Sequence, residues 1–316
     1  MKRLCSKITI GNFIFRSVCE VEVNSSWDNL TDTAKITLPA KLKWKGKHLV
    51  SGNDPLIKRG DPVSIELGYD FDYRTVFEGY LVDVKVKTPL EFICEDAMWK
   101  LKQKVITKSY RQVSLKQLLT DISPLKFECP DFNLGQFRIS KATVAQVLEE
   151  LKKTYGLRCW CRDGKLYVGT PYSSRTNPSP VTREFSFQEN VPEDDLIYQR
   201  QEDVKLKVKG ISVMPNNKRV EVEVGDPNGE QRTLHYYNKT EAELKAILKN
   251  EIERLKYEGY RGSFTAFGEP FVRHSDRVEL KDRRFTDRKG RYWIKAVTYK
   301  FGMQGYRQVI TIDRKA

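Results

Sequence analysis

Between Ile8 and Val23 apolar and polar residues alternate in short runs, ITIGNFIF and CEVEV, and the same period of two returns in AKITLP, VSIELGY, VFEGYLVDVKV and LEFICED. Alternation sends successive side chains to opposite faces, the signature of half-buried strands. Gly11-Asn12, Pro39, Gly60-Asp61-Pro62 and Pro89 punctuate the runs. The connections are too short for crossover helices, so the pairing is antiparallel, and five or more strands within about a hundred residues predict a barrel or sandwich. Residues 1–104 are therefore expected to form a first β-barrel domain.

The period then changes. In VSLKQLLTDI, Ser114 is placed as an N-cap, Gln117 as its capping-box partner and Val113 as a staple against Leu118, which predicts a short helix. TVAQVLEELKKTYGL repeats the device with Thr143 and Gln146 and gathers Val144, Val147, Leu148, Leu151 and Tyr155 on one face. Gly156 supplies a left-handed stop. Asp163-Gly164, inside LRCWCRDGKLYVG, is a two-residue hairpin signal. Residues 105–170 thus read as a small α/β domain.

TPYSSRTNPSPVT, rich in proline and serine, reads as an exposed linker, placed at 171–195. Beyond it strands resume in DVKLKVKGIS, KRVEVEVGD and QRTLHYY, and Thr240 with Glu243 opens one helix that carries Leu244, Ile247, Leu248 and Leu255 and ends near Gly259. GSFTAFGEP, DRVELKD, RYWIKAVTYKF and RQVITID complete a second β-barrel domain over 196–316. The expected class is mainly β with an α/β insert: two related antiparallel β-barrel domains in one chain, separated by a small α/β domain.

The word "related" rests on one phrase that occurs twice. Asp54 to Glu66 reads DPLIKRGDPVSIE, and Glu269 to Lys281 reads EPFVRHSDRVELK. Each has two apolar residues, two basic ones, a small residue, Asp, and then an alternating strand. A small residue before Asp suits a tight turn whose carboxylate accepts from nearby backbone N–H groups. Val63 and Ile65 in one copy, and Val278 and Leu280 in the other, then face inward. A second aromatic-rich strand follows both copies, FEGYLVDVKV and GRYWIKAVTY, which favours reuse of one structural unit over convergence on a common turn.

Composition narrows the partners. At 316 residues with 39% hydrophobic and 31% charged positions, the chain is an ordinary globular protein of two or three domains. It has no run of about 18 apolar residues that could span a membrane. MKRLCSKITIGNFIF enters an alternating strand at once, so it reads as the first strand and not as a signal peptide. The formal net charge of +14 suits an anionic partner, although its lysines and arginines are scattered, as in KLKWKGKH and DRRFTDRKGR, which fits solvated loops and strand edges. Cys5, Cys19, Cys94, Cys129, Cys159 and Cys161 show no C-x-x-C spacing and read as buried reduced thiols. Cys159 and Cys161 share one strand face, but three histidines in the whole chain leave little to complete a metal site.

Catalytic patterns are missing. His48, His235 and His274 lie beside no G-x-S-x-G elbow and in no H-E-x-x-H spacing, and the acidic pairs Glu149-Glu150 and Asp194-Asp195 read as a solvated helix face and a loop. No enzyme, metal or cofactor is expected. A basic β-barrel that binds single-stranded nucleic acid is the alternative, with WKGKHL and YRTVF as candidate contacts.

SSWDNLTDTAKITLPAKL, IKRGDPVSIELGYD, FEGYLVDV and EFICEDAMWKLKQK resemble the first barrel of phage tail baseplate hub proteins: the hub of phage Mu, the late control proteins and the corresponding part of type VI secretion spike proteins. ATVAQVLEELKKTYGLRCW and GEPFVRHSDRVELKD with GRYWIKAVTYKFGMQGYRQVITID resemble that family's insert and second barrel. The segments between the barrels are shorter than in Mu-like hubs. The resemblance implies a homotrimer whose six similar barrels match a sixfold tail tube on one side and a threefold spike on the other. It implies as partners the tail tube protein, the spike protein and the tape-measure protein, with genome DNA crossing the lumen, no membrane, and a place in the virion tail after assembly in the bacterial cytoplasm. Trp27, Asp28, Leu30, Thr31 and Asp32, with the turn residues Asp61 and Asp276, are the candidate ring contacts. Trp27 is equally a candidate barrel-core plug, and the two aspartates are candidates for a purely local turn role.

Overall fold

A computed structural model describes residues 2–39, 43–44, 47–50, 55–131, 133–173, 177, 179–216, 218–286 and 289–316. Asp54 of the first repeated phrase, the centre of WKGKHL and part of the serine-rich stretch lie outside the described residues. Among the described residues no helix is long and apolar enough to cross a membrane.

The first β unit comprises β1 (Leu4–Ile10), β2 (Phe13–Phe15), β3 (Glu20–Ser26), β4 (Thr33–Leu38), the two-residue β5 (Lys43–Trp44) and β6 (Lys47–His48), β7 (Pro62–Tyr69), β8 (Asp72–Lys85) and β9 (Leu90–Glu95). Its main sheet runs β3-β4-β9-β8-β7-β1-β2, antiparallel throughout. The alternation seen in the sequence is the alternation of burial: in β9, Leu90, Phe92 and Cys94 are buried and the residues between them are not.

The middle of the chain holds α1 (Met98–Leu101), β10 (Val105–Ser114), α2 (Leu115–Ile122), β11 (Phe127–Glu128), β12 (Asn133–Thr143), α3 (Val144–Tyr155), β13 (Arg158–Arg162) and β14 (Lys165–Gly169). Ser114 accepts from Gln117 N at the start of α2. Thr143 and Gln146 form the reciprocal box on α3, and Gly156 caps its end with a φ of 68°. Asp163 and Gly164 both take positive φ, 49° and 71°, and join β13 to β14 as a tight hairpin. The apolar faces of α2 and α3 share one core with Val113, Leu134, Cys159 and Leu166.

The rest comprises β15 (Thr182–Ser186), β16 (Glu193–Asp194), β17 (Ile197–Gln199), β18 (Leu206–Val213), β19 (Arg219–Gly225), β20 (Glu230–Tyr237), α4 (Glu241–Leu255), β21 (Gly259–Phe267), β22 (Arg277–Lys281), β23 (Gly290–Gly302) and β24 (Gly305–Lys315). Two features differ from expectation. First, β15 and β16 lie inside the segment expected as linker, 171–195, because pairing with β22 and β21 orders strands that the prolines and serines had masked. Second, β18, β19 and β20 do not join the second barrel. They form their own three-stranded sheet, order β19-β18-β20, over which α4 lays Leu244, Leu248 and Ile252 against Val208 in a separate core.

The two β units are built alike. In the first, the path β1-β7-β8-β9-β4-β3 visits its strands as the second visits β15-β22-β23-β24-β21 and then β16 and β17, with the same chain order in both. Glu20 pairs with Thr37 on β4, and Glu193 pairs with Thr265 on β21. β8 carries a bulge between Leu81 and Asp83, and β23 carries one between Ile294 and Ala296. One feature differs: β15 lies parallel to β22, whereas β1 lies antiparallel to β7.

The repeated phrase makes the same turn in both places. Asp61 N donates to Lys58 O and Leu81 N to Asp61 O, while Gly60 N donates to Leu81 O. Likewise Asp276 N donates to Arg273 O, Ile294 N to Asp276 O, and Ser275 N to Ile294 O. The small residue is needed for its backbone: φ is 92° at Gly60 and 66° at Ser275, a region bulky residues avoid. The two units are also one sheet, because β3 of the first pairs antiparallel with β23 of the second, and their apolar cores are continuous.

Candidate functional site: a polar junction between the units

Trp27–Asp32 connect β3 to β4, and their own polar groups shape the bend. The Asp32 carboxylate accepts from Ser25 Oγ at 2.5 Å and from Ser26 N at 3.0 Å, and Ser26 Oγ accepts from Asp28 N at 3.1 Å. The loop tip is thereby held away from its own sheet and laid against the insert and the second β unit.

Trp27 is 8% exposed. Its Nε1 donates to Tyr172 Oη at 2.7 Å, and the two rings meet edge to face at 5.6 Å. Tyr172 in turn donates to Asp313 Oδ2 at 3.0 Å and stacks on Trp293 at 4.6 Å, so Trp27 is anchored to β23 and β24. Asp28 is surrounded by three cations from two directions: Arg158 at 3.1 Å and Lys152 at 3.6 Å from the insert, Lys295 at 3.2 Å from β23. Burial pushes its pKa up, but Arg158, Lys295 and Lys152 together outweigh this and hold the carboxyl below the usual range. Leu30 packs on the insert core, and Thr31 is half-buried beside it. The loop expected at ring contacts therefore braces three parts of a single chain, and Trp27 plugs the junction.

Behind this loop lies a second polar layer. Asp96, just after β9, accepts from Asp32 N at 3.2 Å and from Met98 N at 3.0 Å, which opens α1. Burial lifts Asp32 to about 7 against the bonds from Ser25 and Ser26, and burial together with the neighbouring Asp32 lifts Asp96 well above the carboxylate range. Arg162, at the end of β13, crosses to the second unit and donates to His274 O, its guanidinium 3.4 Å from His274 Nδ1. Burial, then Arg162 and Arg273, hold the His274 pKa far down, so the ring is neutral. Ser275 Oγ lies 3.2 Å from the same Nδ1, and His274 and Ser275 are 2% and 1% exposed.

The turn aspartates hold their turns. Asp61 accepts from Lys58 N at 2.8 Å; Asp276 accepts from Arg273 N at 3.0 Å and, through its other oxygen, from Val181 N at 3.3 Å. Among the described residues the six cysteines form no disulfide; Cys19 is exposed and Cys129, at the margin of the insert core, is half-buried, unlike the expected burial of all six. Cys159 and Cys161 are buried, which lifts the Cys159 thiol to about 12 and Cys161 well above its usual value, leaving poor ligands and nucleophiles. Among the described residues no group of three or more His, Cys, Asp or Glu side chains could hold a metal. Sequence reasoning did not single out Tyr172, Asp96 or Arg162. Asp96 carried one signal, a carboxylate directly after an apolar strand; Tyr172 lay hidden in the stretch taken for linker.

No protein-family model matches the chain, and no curated protein matches it. Solved structures do. A tail protein from Neisseria meningitidis MC58 is similar with a TM-score of 0.66 at 16% identity, over 99% of this chain and 97% of that one. The 43 kDa tail protein of prophage MuSo2 from Shewanella oneidensis gives 0.65 at 16% identity, over 98% of both chains. An E. coli component of the type VI secretion system gives 0.58 at 10% identity, over 98% of this chain and 75% of that one. The fold is that of phage and prophage tail proteins, and it is shared with type VI secretion components.

Proposed function

We propose that the chain is a structural hub protein of a phage tail or phage-like injection machine, a homotrimer that joins the tail tube to a central spike. The observation that carries this reading is the duplication: equal strand order, an equal bulge and an equal turn in two β units of one chain. Three such chains present six similar units around one axis, which lets a threefold spike meet a sixfold tube. A junction packed with ion pairs and stacked rings fixes the two units relative to each other, as a load-transmitting ring requires. In this reading the Trp27–Asp32 loop and the Asp61 and Asp276 turns serve the ring by making each chain rigid. The tube, spike and tape-measure proteins are its partners, and the role is mechanical, without catalysis. The net charge of +14 faces DNA in the lumen or an acidic ring of the tube. The protein is assembled in the bacterial cytoplasm and resides in the virion tail.

Light scattering on the purified chain tests this: the expected mass is three times that of one chain. A monomer that binds single-stranded DNA, with affinity falling steeply as salt rises, would support the nucleic-acid reading and overturn this one.

A further inference from the structure

The joint inside the chain is a template for a joint between chains. Through the shared turn and bulge, Asp83, Val84 and Lys85 of β8 correspond to Ala296, Val297 and Thr298 of β23. In β23 that stretch is paired on both sides, by β24 on one edge and by β3 on the other, with Ala296 opposite Ser26, Val297 opposite Ser25 and Thr298 opposite Asn24. In β8 the stretch is paired by β9 alone, and among the described residues no strand occupies its other edge.

The missing counterpart stands at the far end of the same sheet. Glu193 corresponds to Glu20 by its register, so Ile197, Tyr198 and Gln199 correspond to Asn24, Ser25 and Ser26. Among the described residues, β21 is the one strand that forms a ladder with this segment. One chain thus contains a complete joint in its middle and the two halves of a second, identical joint at opposite ends of the strand path from β16 and β17 to β8.

We propose that the open edge of Asp83–Lys85 in one copy receives Ile197–Gln199 of a second copy, antiparallel, with Lys85 opposite Ile197, Val84 opposite Tyr198 and Asp83 opposite Gln199. The proposal rests on the hub reading and names its self-contact. Charge supports it. The pairing runs Lys85 and Lys87 alongside the carboxylates of Glu193, Asp194 and Asp195, just as Lys300 stands opposite Glu22 in the internal joint. Exposure supports it as well: Val86 and Ile197 are 64% and 59% exposed in the single chain and are covered in the pair. An open strand edge is a liability that a folded protein covers or blunts. Each copy has one edge of each kind, so the contact is heterologous, and repetition closes it into a ring when the rotation permits.

Crosslinking of K85C/I197C chains, in a C19S background, tests the contact. Opposed residues of an antiparallel pair have Cα atoms about 4.5–5.5 Å apart, within disulfide reach. Mild oxidation is expected to move most of the double variant into covalent dimers and trimers on a non-reducing gel, while K85C alone and I197C alone stay single. Trimers in light scattering without crosslinks would overturn the edge contact and leave the hub reading standing. A chain that scatters as a monomer and does not crosslink would overturn both.

Discussion

The two turn aspartates share the bond back to the residue three positions before them but differ in surroundings and in a second bond that Asp276 alone is seen to accept, so removing each should cost a different amount. Asp276→Ala strands two backbone donors, Arg273 N and Val181 N, at a residue only 9% exposed, and it takes a counter-charge from Arg162. Hydrogen bonds to charged groups contribute about 1.5–3 kcal/mol, and a buried donor left unmatched costs a similar amount, so the expected loss is about 3 kcal/mol. Asp61→Ala strands one donor, Lys58 N, in a more open turn that water can reach, and the expected loss is about 1 kcal/mol, that of a missing cap. With a urea m-value of about 3 kcal/mol per molar, the midpoint falls by about 1 M for Asp276→Ala and about 0.3 M for Asp61→Ala. Tryptophan fluorescence during urea unfolding reads both. Asp61→Asn, which keeps an acceptor, should sit near the parent. Equal shifts, or a larger loss at Asp61, would refute the reasoning that burial and donor number set the scale.

Asp28→Ala should lower stability by about 2 kcal/mol, between the values for exposed and buried ion pairs, and the difference from the parent should shrink in high salt; an unchanged urea midpoint would contradict the bracing role. The Asp32 and Asp96 carboxyls have raised pKa values, so between about pH 4 and pH 7 the folded chain binds more protons than the unfolded one and stability falls as pH rises. Asp96→Asn should flatten that slope in unfolding free energies measured across the window. Gly79→Ala should destabilise by about 1–3 kcal/mol or more, because a Cβ at Gly79 would stand 2.2 Å from Glu95 O; thermal melts that match the parent would show the strand yields there.

Local chemistry was the legible part of the sequence. Ser114, Thr143 and Thr240 announced their helices because a cap and its bond to the residue three positions on need no tertiary partner, and α2 shows the limit, with only the Ser114 half of its box formed. The repeated phrase was legible as a turn because its carboxylate bonds back three residues. Sheet membership was not. β18 alternates as cleanly as β22 does, and period two says nothing about which neighbour a strand takes. The junction was illegible for the same reason: Asp28 finds Lys152, Arg158 and Lys295, and Trp27 finds Tyr172, only after the chain has folded across more than a hundred intervening positions. Hence the Trp27–Asp32 loop was singled out as a candidate ring contact, and its partners within the chain were missed.

The hub account turns on whether duplicated units assemble around one axis. Negative-stain images of the purified chain test that most directly. The account predicts face-on averages of a closed ring with a central hole and six lobes of similar size, and solitary particles with two lobes at every concentration would contradict it.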